Sequence, residues 1–153
     1  MAHVITTAMQ KGGVGKTTST VNIGAYLAEK GARVLLIDLD PQGNLTRGLG
    51  INREELQYSS YEVLLNPQVD PSYAILKLPE AGLDIIPSTL ALQGAERELL
   101  NEVGRETFLR EALIHIQDKY DYILIDTQPF FGTITQNALA CATAVIVPVQ
   151  VEI

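Results

Sequence analysis

The chain has 153 residues with 46% hydrophobic content, which suits one folded domain with its own core and excludes a disordered chain. A net charge of −7 with eleven scattered Lys and Arg residues argues against a general nucleic-acid binder, leaving room only for a local basic face in an assembled dimer. The apolar runs are strand-sized and too short to cross a bilayer, and no basic-then-apolar leader opens the sequence. The lone Cys141 allows no intrachain disulfide, so a reducing cytoplasm is the expected compartment.

In chain order, "HVITTAM" (His3 to Met9) reads as a β-branched strand, followed by the glycine-rich "QKGGVGKTT". A helix is predicted next, with apolar or small residues at helical spacing at Val21, Ala25 and Ala28, Ile23 and Leu27 adjoining, and Gly31 as its C-terminal cap. "ARVLLIDLD" is a buried strand with an acidic end, and "PQGNLTRGLG" a loop. A short helix is predicted over Ser59 to Leu65, ended by Asn66-Pro67, and a strand in "GLDIIPST". Helical patterns follow at Leu90 to Asn101 and Glu106 to Lys119, then the strand "YDYILIDT", a helix over Thr133 to Ala142 and a last strand in "TAVIVPV".

Strands alternate with helices, so the expected class is α/β: a mostly parallel central sheet with helices on both faces. Ligands of such sheets bind beyond the carboxyl ends of the strands. Residues 10–18, 38–44 and 126–132 all lie at such ends, and this convergence says more than any one motif. One feature is odd: the sequence stops directly after a strand, where a doubly wound sheet is expected to continue.

The first of these stretches has the strand–loop–helix setting of a phosphate loop. Gly12, Gly13 and Gly15 permit the backbone turns that aim successive N–H groups inward as an anion nest. Lys16 adds a charge for the outer phosphates, and Thr17 a hydroxyl for Mg²⁺. Gln10 stands where the generic pattern has its first glycine, and Lys11 follows it. The rival dinucleotide fingerprint begins at Gly13-Val14-Gly15, but Thr18 takes the place of its third glycine. In "DLDPQGN", Asp38 and Asp40 suit either a Mg²⁺-bound water or the attacking water, against a plainer role as loop caps. Asp126 ends a hydrophobic strand, a common enough arrangement by itself, but with the loop upstream it reads as a second-motif aspartate that binds Mg²⁺ through water. Cys141 is read as packing, His3 and His115 as surface or packing residues, and Phe130-Phe131 as packing under the loop in preference to a partner contact.

"QKGGVGKTT" resembles the deviant Walker A motif of the ParA/MinD class of P-loop ATPases, whose signature is the first lysine. "DLDPQGNLTRGLG", "IPSTLALQGAERELL", "YDYILIDTQP" and "NALACATAVIVPVQ" resemble the ParA/Soj partition branch in order and spacing, over nearly the whole chain. The resemblance implies a single P-loop ATPase domain over residues 1–153, the N-terminal portion of a ParA-like domain. It implies ATP and Mg²⁺ as cofactors, with nucleotide held by Lys11, Gly12, Gly13, Val14, Gly15, Lys16, Thr17 and Thr18. Thr17, Asp38 and Asp126 form the expected metal set, and Lys11, Lys16 and Asp40 the catalytic one. Lys11 would reach a partner's phosphates in an ATP-dependent homodimer that binds DNA non-specifically and answers to a ParB-type protein. The resemblance further implies slow, partner-stimulated hydrolysis that segregates plasmid or chromosome DNA, in the cytoplasm and on the nucleoid when ATP is bound. The alternatives are a nucleotide-binding module without turnover and an ATPase that positions other cargo. Membrane positioning is not expected, because the C-terminal amphipathic helix of the MinD branch is missing from this sequence, and one cysteine excludes the iron-protein relatives. Met9, Gln128 and Phe130 depart from the family pattern, and relatives continue for a further domain-scale stretch.

Overall fold

The computed structural model describes residues 1–152; Ile153, the last residue of the expected domain, lies outside them. Strand β1 (His3–Thr7) leads through the glycine loop into α1 (Lys16–Glu29), and β2 (Val34–Leu39) follows. Next come α2 (Asn44–Gly48), α3 (Ser60–Leu65), β3 (Leu76–Leu78) and β4 (Leu83–Ile86). Helices α4 (Leu92–Leu99) and α5 (Phe108–Leu113), strand β5 (Tyr122–Thr127), helix α6 (Thr133–Cys141) and strand β6 (Ala144–Ile146) complete the order.

These strands form one six-stranded sheet in the order β3-β4-β2-β5-β1-β6. Every pairing is parallel except that of β3 with β4. The register sets Asp38 opposite Asp126 and Thr7 opposite Asp126, so β1, β5 and β2 end at one level, side by side. The expected convergence of three loaded strand ends is therefore present.

The core has two layers. Alternate residues Leu35, Ile37 and Leu39 of β2 pack with Ile123 and Ile125 of β5 toward α3, α4, α5 and α6. Val34, Leu36 and Leu124 face the other way, toward α1 and α2. All six residues of β2 are buried, which explains its unbroken apolar run. On α1, Gly24 lies over Leu36 and Leu124: a β-carbon there would stand 2.8 Å from Leu36 Cδ2. The inner face of α1 includes Thr20, Val21, Ile23, Gly24, Leu27 and Ala28, whereas Ala25 is exposed.

Three local expectations need correction. The loop predicted over "PQGNLTRGLG" contains α2, a helix of five residues, too short to form by propensity; it is held by buried Leu45 and Thr46. The helix predicted over Glu106 to Lys119 is confined to α5 between two 3-10 turns. It tightens after Leu113 because Ile116 is buried while Ile114 remains 59% exposed. Strand β3 has no counterpart in the sequence reading; it forms a hairpin with β4 across Pro79–Gly82, where Gly82 takes φ +66°. The predicted short helix at residues 59–65 is present, and Ser59 and Glu62 form a complete capping box at its start.

Candidate nucleotide-binding site

The site is built at the ends of β1, β5 and β2, and the loop between β1 and α1 forms its floor. Gly13 (φ +71°) and Gly15 (φ +90°) occupy the left-handed region, closed in practice to other residues, and Gly15 caps α1 without a side chain. The first N–H groups of α1 thus remain available at the positive end of a helix 14 residues long.

Lys16 is the first residue of that helix and is buried, with Nζ donating to the carbonyl of Lys11 at 3.1 Å. A buried ammonium needs such a partner, and here the loop's own backbone supplies it. Lys11 behaves differently: its side chain is half exposed and pairs with Glu152 at 2.6 Å. The two lysines thus sit in separate environments, one inside the loop and one outside it. Thr18 is exposed, and Val14 is half-buried within the loop.

Thr17 Oγ1 donates to Asp126 Oδ2 at 2.6 Å, joining the start of α1 to the end of β5. Asp126 is fully buried, and its Oδ1 has no hydrogen-bond partner among the described residues. Burial, reinforced by the nearby charges of Asp38 and Asp40, pushes its carboxyl up to about 7 against the opposing Thr17 bond and Lys16 charge. A buried carboxylate oxygen without a partner, beside a threonine hydroxyl, is an all-oxygen donor set that fits a hard divalent cation such as Mg²⁺. The remaining ligands would come from water and phosphate, since no cluster of three or more His, Cys, Asp or Glu side chains among the described residues is placed to hold a metal.

Asp38 is committed elsewhere. Its Oδ1 accepts the N–H of Asp40 at 3.0 Å, and its Oδ2 accepts both the N–H (3.0 Å) and the hydroxyl (2.6 Å) of Thr46. Burial raises its carboxyl above the ordinary range, opposed by these bonds. This geometry fits an organiser of the loop after β2 better than the metal role expected of it. Asp40 sits at the rim of a cleft shared with Gln42, Glu96, Gln128 and Phe130. Its Oδ1 accepts the Gln42 N–H at 2.9 Å, the Asx turn of the plainer capping reading, while Oδ2 accepts no bond among the described residues. One carboxylate oxygen thus shapes the loop, while the other makes no hydrogen bond among the described residues.

Several residues of this site had escaped the sequence reading. Ser88, just past β4, donates its hydroxyl to the Asp40 carbonyl at 2.7 Å, so a fourth strand end takes part. "IPST" follows a strand as the other loaded stretches do, and that position was the available signal. Glu96 on α4 accepts the N–H groups of Thr133 (2.8 Å) and Ile134 (3.0 Å), capping α6 from a distance, and Gln128 Nε2 stands 3.4 Å from it. Phe130 and Phe131 are 59% and 50% exposed, so the expected packing under the loop is not formed; they border an open apolar cleft with Met9, Leu139, Val145 and Val147. Cys141 is half-buried, and burial pushes its thiol up to about 12, as a packing residue requires. His3 and His115 are exposed.

A parallel sheet carrying a lysine-bearing glycine loop, with a threonine–aspartate pair beside it, defines a P-loop nucleotide-binding fold. The family described as an AAA domain (AAA_31) matches residues 2–153, and the chain belongs to it. Within it the chain is similar to the sporulation initiation inhibitor protein Soj of Bacillus subtilis, at 46% identity over 152 residues, 99% of this chain and 60% of that protein. Cobyrinic acid a,c-diamide synthase from Mycobacterium smegmatis, solved with a bound ATP analogue and magnesium, superposes with a TM-score of 0.95 at 45% identity. That match covers 100% of this chain and 62% of the other. A plasmid partition protein from Borrelia burgdorferi superposes with a TM-score of 0.85 at 36% identity, covering 99% and 67%. The resemblance to ParA/Soj-type partitioning ATPases is thus borne out at the level of the family. The chain spans about three fifths of the length of the Bacillus and Mycobacterium proteins.

Proposed function

We propose that this chain is the nucleotide-binding portion of an ATP-dependent partition switch of the ParA/Soj type. It binds ATP with Mg²⁺, dimerises in the ATP state, binds DNA non-specifically as a dimer and is stimulated to hydrolyse ATP by a ParB-type partner, moving plasmid or chromosome DNA apart. Its place is the cytoplasm, and the nucleoid when ATP is bound. The carrying observation is the division between two loop lysines: Lys16 buried against the loop backbone and Lys11 exposed on an exchangeable ion pair.

In this reading the loop N–H groups and Lys16 bind and orient the phosphates. Thr17 and Asp126 would hold Mg²⁺, which supplies charge neutralisation on the phosphate oxygens. Asp40 uses its free oxygen to orient water toward the terminal phosphate. Lys11 leaves Glu152 for the phosphates of a second subunit.

A second reading, a nucleotide-binding module without turnover, is favoured by Gln128, a polar side chain lining the same cleft as Asp40 at a position that departs from the family pattern. Calorimetric titration with Mg-ATP, sedimentation with and without ATP, and phosphate release with and without DNA separate the two. The switch reading expects binding that Lys16→Ala abolishes, ATP-dependent self-association and measurable phosphate release. Equal binding by wild type and Lys16→Ala would refute the phosphate-loop assignment, and ATP-bound monomers without phosphate release would favour the inert module.

A further inference from the structure

The loop that carries Asp40 is closed from outside by a single guanidinium. Arg53, in the 3-10 turn Arg53–Glu55, donates from Nη2 to the Pro41 carbonyl at 2.6 Å and from Nη1 to the Gln42 carbonyl at 3.1 Å. Its Nε donates to the Ser88 carbonyl at 3.1 Å. It makes no ion pair among the described residues, so its charge-assisted bonds go to backbone carbonyls of the loop after β2 and of the turn after β4. Gly43 (φ +65°) permits the contact: a β-carbon there would stand 2.7 Å from Arg53 Cζ.

From inside, the same loop is held by the β4 end. Ser88 donates its hydroxyl to the Asp40 carbonyl and its N–H to Thr46 Oγ1 at 3.0 Å, and Thr46 in turn bonds Asp38. The path from the guanidinium to the carboxylate is short. Arg53 fixes the carbonyl of Gln42, and the N–H of Gln42 fixes Asp40 Oδ1. Arg53 lines a solvent-open cleft with Arg47, Asn52 and Leu90, a lining that includes no residue of the phosphate-binding turn.

We propose that Arg53 is a positioning residue for ATP hydrolysis: it holds the Pro41–Gln42 backbone so that the Asp40 carboxylate is aimed into its cleft. The inference rests on the reading of Asp40 as the water-orienting residue. Arg53 touches no reacting group and acts through Gln42. An error of about 1 Å in such a group costs as much as 10²-fold in turnover. Substrate affinity, set by the loop at residues 11–18, is left alone.

The test compares wild type, Arg53→Ala, Arg53→Lys and Asp40→Ala for kcat and KM with Mg-ATP. Hydrogen exchange at Gln42 and Gly43 is followed without nucleotide. For Arg53→Ala the expected result is a kcat lower by about tenfold or more with KM within about twofold. Millimolar guanidinium ion should restore part of that turnover, and Arg53→Lys should lie between. Amides 42 and 43 exchange faster in Arg53→Ala while those of 12–18 do not change. Wild-type kcat in Arg53→Ala beside an inactive Asp40→Ala overturns the positioning role and leaves the hydrolysis reading standing. Unchanged exchange at 42 and 43 overturns the clamp whatever the turnover, and Arg53→Lys supplies the same readouts if the alanine variant fails to fold. Wild-type turnover in Asp40→Ala overturns the hydrolysis reading, and the positioning role with it.

Discussion

Replacing Asp126 with asparagine should make the nucleotide-free protein more stable at alkaline pH while removing its response to Mg²⁺. The carboxylate is fully buried and one of its oxygens has no partner among the described residues, so ionisation is unfavourable and burial pushes the carboxyl up from 3.8 to about 7. The sign follows from linkage: between about 4 and 7 the folded state holds a proton that the unfolded state has lost, so stability falls as pH rises through that window and levels off above it. A displacement of about three pK units corresponds to about 4 kcal/mol as an upper estimate. Asparagine keeps an acceptor for the Thr17 hydroxyl but brings an amide with no partner, which costs about 1–3 kcal/mol. That second cost does not depend on pH, so the difference between variant and wild type should still move by about 3 kcal/mol from pH 4 to pH 8. Urea unfolding of both proteins in EDTA at these two pH values measures it. A difference that is the same at both would refute the claim that this carboxylate is held at a cost, and with it the physical case for a cation site. In the same variant, Mg²⁺ should no longer strengthen nucleotide binding.

Lys11→Ala breaks an exposed ion pair with Glu152, so its unfolding free energy should stay within about 1 kcal/mol of wild type. Its ATP-dependent self-association in sedimentation should nevertheless weaken, and unaltered sedimentation with ATP would end the cross-subunit role. Leu36→Ala removes a fully buried side chain beneath Gly24 and should cost about 2–5 kcal/mol in denaturant unfolding. Ser59→Ala removes the capping box of α3, with an expected loss of about 1 kcal/mol in the same measurement and no change in nucleotide affinity.

The chain by itself determined the class of fold and the floor of the site. Local covalent and steric rules suffice there: glycines at residues 12, 13 and 15, a lysine and a threonine at the next helix start, and apolar strands ending in acids at 38 and 126. The capping box at Ser59 was likewise within reach, because its bonds close over three residues. What the tertiary structure alone decided is the part made by residues distant in sequence. The register of β5 between β1 and β2 brings Thr17 to Asp126 across 109 positions, and the end of β4 brings Ser88 to Asp40 across 48. Helix α2 exists because Leu45 and Thr46 find burial and Asp38, and Phe130 and Phe131 remain exposed because nothing among the described residues covers them. Even the surroundings of Asp38 depend on such bonds, since only the folded loop shows both its oxygens already engaged. Spacing encodes contacts within a turn or a strand; contacts between strand ends depend on the order in which the sheet is assembled, and that order is a property of the packed whole.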